Sequence, residues 1–113
     1  MFVRFYLPET TVDFERLYEH CLTAIEDRFG GCTVTAGEGV WKNPNTGRRV
    51  REAVHVIDVY CRSNGHDTGL WFDRLADYVR REGEQDSVLY LTYHSVTERM
   101  VGAETIIGRE RAR

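Results

Sequence analysis

The feature that most constrains this 113-residue chain is a helical stripe set between stretches of β-forming residues. Phe14, Leu17, Tyr18, Cys21, Leu22, Ile25 and Phe29 recur at three- and four-residue steps, which places them along one face of an α-helix. Such a stripe must be buried against another layer. Thr10-Thr11 offers an N-cap, with Asp13 and Glu15 in the first turn where the helix dipole favours acids. Gly30-Gly31 supplies the left-handed stop.

The flanking segments alternate with period two. Ahead of the helix, Phe2-Val3-Arg4-Phe5-Tyr6-Leu7 is rich in β-formers and ends at Pro8. Val3, Phe5 and Leu7 point one way, Arg4 and Tyr6 the other. Behind it, Cys32 to Ala36 reads as a second strand, broken by Gly37-Glu38-Gly39 and resumed at Val40 to Lys42. Two glycines in a strand pattern predict a bulge or a close backbone approach. Asn43-Pro44-Asn45-Thr46-Gly47 is a turn, so the third strand, within Arg48 to Arg62 and centred on Val54 to Cys61, closes a hairpin.

A polar loop from Ser63 to Gly69 leads to a second amphipathic helix carrying Trp71, Phe72, Leu75, Ala76, Tyr78 and Val79, with Arg80 and Arg81 near its end. Ser87 to His94 is the last main strand, with a continuation to Val96 or beyond. The order strand–helix–strand–strand–helix–strand predicts an α+β, ferredoxin-like two-layer sandwich. The right-handed crossover rule puts strands 1 and 3 at the centre of an antiparallel sheet, with both helices on one face. Residues 1–102 form the single domain, and residues 103–113 a C-terminal extension or short edge strand.

Part of this pattern resembles the DUF3574 type of small bacterial proteins. The similarity rests on Gly31-Cys32-Thr33-Val34, Gly39-Val40-Trp41 before a polar turn, Glu52 opening the third strand, and Gln85-Asp86-Ser87-Val88-Leu89. It covers roughly the C-terminal two-thirds. The resemblance implies a ferredoxin-like sheet and no established activity, and it transfers no functional residue. Those proteins often carry an export signal; none is visible here.

The third strand is apolar on both alternations, with Val54 and Val56 on one and Ile57 and Val59 on the other. The last strand behaves likewise, with Leu89 and Leu91 opposed to Val88 and Tyr90. A half-exposed antiparallel strand alternates apolar with polar, so two-sided apolarity predicts that a second subunit, a ligand or the C-terminal segment covers the open face. The expectation is a homodimer through that face, a non-catalytic binding or interaction module enclosing a small ligand. Tyr6, Asp58, Tyr60 and His94 are its candidate polar contacts, because an apolar pocket gains specificity from a few such groups.

Two alternatives come from other classes. A small cofactor-independent enzyme of the dimeric α/β-barrel sort would use His55, His94 or Asp58 as acid or base, although His55 and Asp58 fall on opposite alternations. Single-stranded RNA binding would use Tyr6 and Tyr60 with a basic patch of Arg48, Arg49 and Arg51. A net charge of −3 and a pI near 5.8 argue against a general polyanion binder.

No catalytic residue, metal site or cofactor is expected, since Cys-x-x-Cys, His-x-x-x-His, phosphate-loop and nucleophile-elbow spacings are all missing. Cys21, Cys32 and Cys61 are an odd, widely spaced set, which suits reduced thiols in a cytoplasmic protein better than a disulfide framework. Cys61 is expected to act as a small buried hydrophobe.

Overall fold

The computed structural model describes residues 1–62 and 66–94. The loop at 63–65, the continuation to Val96, the boundary at 102 and the C-terminal extension all lie outside them. The described chain runs β1 (Phe2–Pro8), α1 (Phe14–Phe29), β2 (Thr33–Lys42), β3 (Arg49–Tyr60), α2 (His66–Glu82) and β4 (Tyr90–Tyr93). The strands form one antiparallel sheet in the order β2-β3-β1-β4. Strands 1 and 3 are central, and the arrangement is the ferredoxin-like α+β sandwich that the alternation predicts.

The core follows from the period of β1. Val3, Phe5 and Leu7 are fully buried, and Val59 and Ile57 lie opposite Val3 and Phe5 in the β1–β3 ladder. Cys21 and Ile25 of α1 and Phe72, Leu75, Ala76 and Val79 of α2 close over them in one cluster. Burying each large side chain here is worth about 1.5–3 kcal/mol relative to leaving it in water. Phe29 joins the layers: its ring stacks on Phe72 at 5.3 Å and meets Trp71 edge-on at 5.1 Å.

Three local readings are corrected by tertiary contacts. α1 begins at Phe14, not at the threonine pair, and Asp13 is its N-cap in the left-handed region without a side-chain cap bond. Asp13 instead accepts from Arg16 Nε at 2.7 Å. Thr11 is buried beside the end of α2, where Val12 N donates to Gly83 O at 3.0 Å. Thr11 and Val12 therefore tie the β1–α1 connection to the end of α2, while Thr10 Oγ1 donates to Glu52 Oε2 of β3 at 2.6 Å. Second, α2 takes in residues 66–69, which read as loop in the sequence, and Thr68 is buried within its first turn. Asp67 in that turn suits the helix dipole.

Third, β2 is continuous. Gly37 and Gly39 pair in register with Val54 and Glu52, so no bulge interrupts the strand. Gly39 serves the close approach instead: a Cβ there would lie 3.2 Å from Trp41 Cζ3. The hairpin closes where Asn43 Oδ1 accepts from Asn45 N at 2.8 Å and Thr46 N at 3.3 Å, with Gly47 at φ 70. β4 is shorter than the apolar run suggests, although Tyr6 N donates to Leu89 O at 3.1 Å and extends the pairing by one residue. Among the described residues no helix is long and apolar enough to cross a membrane.

Two groups link this core to pH. Burial pushes the Cys21 thiol up to about 12, and burial together with the bond its hydroxyl donates to Asp73 pushes the Tyr90 phenol up to about 12. Both folded values are raised, so the stability they contribute is present below the unfolded values, near 9 and 10, and is lost as pH rises toward 12. In urea titrations the stability gap between the wild type and Tyr90→Phe is expected to hold up to about pH 10 and to shrink above it. Phe72→Ala is expected to cost about 3–5 kcal/mol in the same titrations. Gly83→Ala is expected to destabilise as well, because its Cβ would collide with Thr11 Cγ2 and the Val79 carbonyl.

Candidate functional site on the open sheet face

With both helices on the odd-numbered side of β1, the even-numbered residues face away. Among the described residues no element covers that face. The registers align its side chains in rows across the strands. Tyr60, Phe2 and Tyr93 make one row. Thr33, Asp58, Arg4 and Leu91 make the next, across all four strands. Thr35, Val56 and Tyr6 follow.

The first row is a run of aromatic contacts. The Phe2 ring lies 5.1 Å from Tyr60 and 5.5 Å from Tyr93, tilted against each. Tyr60 and Tyr93 remain 54% and 44% exposed, so their ring faces stay open to an incoming planar group. The strands dictate this arrangement, since directly opposed residues in an antiparallel pair hold their Cβ atoms about 4.5–5.5 Å apart.

The second row carries charge. Arg4 Nε donates to Asp58 Oδ1 at 2.8 Å and Arg4 Nη2 to Oδ2 at 3.0 Å, a two-pronged fork. The hydrogen bond and charge of Asp58 hold the guanidinium more firmly protonated than usual, with a smaller contribution from Tyr6. The same guanidinium lies 5.6 Å from the centroid of the Phe2 ring. The Asp58 side chain is only 18% exposed against 38% for Arg4, so the acid is the more enclosed partner. The fork presents a fixed cation and a fixed anion beside three rings. Chemically, that suits a ligand with both a planar ring and a zwitterionic or cationic end.

Of the residues expected at the site, Tyr6, Asp58 and Tyr60 share this face, as their alternation requires. His94 lies in the bend just after β4, exposed, next to Tyr93 in sequence. His55 faces the helices, with ring centroids 5.0 Å from Phe14 and 4.9 Å from Tyr18 and Nε2 2.9 Å from Glu9 Oε1. His55 and Asp58 are therefore on opposite sides of the sheet. Arg48, Arg49 and Arg51 are exposed at the far end of the β2–β3 hairpin, where Arg51 donates to Glu38 at 3.1 Å. They are many residues along β3 from the aromatic row.

Phe2, Arg4, Leu91 and Tyr93 are not among the ligand contacts expected from the sequence. The signal for Phe2 and Arg4 was their even position in β1, but pairing a basic residue with Asp58 needs the β1–β3 register. Cys21 and Cys61 are buried and Cys32 is half-buried; all three are free thiols raised by burial.

No family model and no curated protein matches the chain. Among solved structures, a phage SAM lyase in complex with S-methyl-5′-thioadenosine superposes with a TM-score of 0.57 at 18% identity, over 79% of this chain and 76% of that one. A phage SAM lyase in the apo state gives a TM-score of 0.54 at 18% identity, over 85% and 91%. At that identity the likeness is one of fold: a small α+β sandwich.

The rows make Phe2 the centre of the aromatic surface. Phe2→Ala is expected to cost about 1 kcal/mol or more through the lost ring pairs, read by urea unfolding. It is also expected to alter the near-ultraviolet dichroism of Tyr60 and Tyr93, while Tyr93→Phe leaves stability nearly unchanged.

Proposed function

We propose that this domain binds a small ligand of the S-adenosylmethionine class on the open face of its sheet. The observation that carries the reading is the Arg4–Asp58 fork set beside the Tyr60–Phe2–Tyr93 row, on a face that no other described element covers. A purine stacks on exposed aromatic rings, an interaction worth about 1–3 kcal/mol per base. A sulfonium is attracted by ring faces as other cations are. The amino-acid end of such a ligand carries a carboxylate for Arg4 and an ammonium for Asp58. Support of a coarser kind comes from the solved structures of the same fold, one of which holds S-methyl-5′-thioadenosine.

Isothermal titration calorimetry of the full chain with S-adenosylmethionine, S-methyl-5′-thioadenosine and adenosine tests this reading. Saturable binding is expected for the first two, and S-adenosylmethionine is expected to bind more tightly because it alone carries the zwitterionic end. Phe2→Ala is expected to weaken both by about tenfold, the equivalent of one lost ring contact. Arg4→Met with Asp58→Asn is expected to erase the preference between them. Failure of all three ligands to bind at millimolar concentration would overturn the proposal.

A catalytic second reading is favoured by the name of those similar structures, which is that of a lyase. Chromatography of S-adenosylmethionine incubated with the protein separates the two. Conversion beyond one equivalent makes the domain an enzyme, and intact ligand with saturable binding makes it a binding module.

A further inference from the structure

β2 is an edge of the sheet, and among the described residues nothing pairs with its outer side. It is ten residues long, in continuous register, without proline or bulge. Natural edges are usually short, bulged, proline-bearing or charged, because an open row of N–H and C=O groups recruits another strand. Here Glu38 and Lys42 are the only charges along it. The distal half of the hairpin is exposed on both sides, with Val40 at 51% and Trp41 at 45%. Near the other end of the same strand, α1 and β2 border a groove of about 410 Å³, lined by Glu19, Leu22, Glu26, Cys32 and Val34 among others.

We propose that two copies of this chain pair antiparallel through their β2 edges, with the two-fold axis passing at Gly37. Gly37 then faces Gly37, and outward from the axis Ala36 faces Glu38, Thr35 faces Gly39, Val34 faces Val40 and Thr33 faces Trp41. Lys42 comes opposite Cys32. The chemistry selects this register. Centring on Glu38 would oppose two carboxylates, and centring on Ala36 or Gly39 would set Glu38 against a valine. Directly opposed residues share a face, so Val40 and Lys42 of the second copy lie on the helix side, over the groove.

Arg49, which pairs with Lys42 inside the hairpin, brings a further cation to that side, where Arg51 is already tied to Glu38 at 3.1 Å. Lys42 and Arg49 of the second copy then meet Glu19 and Glu26, so a basic arm fits an acidic groove with valine on valine at its floor. On the open side, Trp41 of the second copy stands over Thr33, which pairs with Asp58. The candidate ligand face would then gain an aromatic wall from its neighbour. The pairing itself does not depend on the ligand reading, because no ligand enters the argument.

Site-specific cross-linking in the full chain tests the register. A Cβ at Gly37 has nothing within 4 Å, so Gly37→Cys fits without strain. Opposed Cα atoms in an antiparallel pair lie about 4.5–5.5 Å apart, inside the span of a disulfide. Under diamide, G37C is expected to form a covalent dimer of twice the 13.1 kDa chain mass, whereas the parent chain and Phe2→Cys stay single on a non-reducing gel. Lys42→Glu is expected to raise the dimer dissociation constant by about fivefold, and Glu26→Lys in the same chain to restore it, both read by sedimentation. A strict monomer by light scattering, an unlinked G37C, a linked F2C (which would put the second copy on the open face) or a charge swap that fails to recover would each overturn the proposal.

Discussion

The pairing of β1 with β3 on one edge and β4 on the other is the constraint on which the rest of this molecule depends. Seven residues of β1 serve two surfaces at once, because successive side chains leave a strand on opposite sides. Val3, Phe5 and Leu7 supply the centre of the apolar core beneath both helices. Phe2, Arg4 and Tyr6 supply the centre of the outer face. A one-residue slip would exchange the two sets, burying a guanidinium among the helices and exposing Phe5. The Arg4–Asp58 fork and the apolar cluster therefore hold the same register from opposite sides of one strand.

The helices are held to this strand by fit as much as by hydrophobicity. Gly83 lets the end of α2 approach Thr11, and the chain between β1 and α1 is tied to it through Val12 N and Gly83 O. The cost is a buried Thr11 hydroxyl with no partner among the described residues. Leaving a polar atom unpaired costs about 1–3 kcal/mol, which the surrounding packing must offset. The connection is thus a point where local capping preference yields to the demands of the second helix.

Among the described residues the helices cover only one face of the sheet. One face of the sheet is packed by helices, and the other presents rings and a charge pair. That second face has no enclosing wall among the described residues. The structural likeness to phage SAM lyase is one of fold, and fold and function are separable properties.

Much of this was written locally. The heptad-like spacing from Phe14 to Phe29, the alternation of Val3, Phe5 and Leu7 and the Asn43–Gly47 turn determine α1, β1 and the hairpin, because each rests on interactions between near neighbours. The same alternation places Tyr6, Asp58 and Tyr60 on one face and His55 on the other. Other features depend on partners distant in sequence. The start of α1, the unbroken run of β2 through Gly37 and Gly39, and the inclusion of Thr68 in α2 were settled by docking and ladder register. Arg4 meets Asp58 across 54 positions of chain, and Phe2 meets Tyr93 across a still longer separation. No local pattern encodes such a meeting. Each residue's face is a property of its own strand, but its neighbour on that face exists only once the strands are aligned.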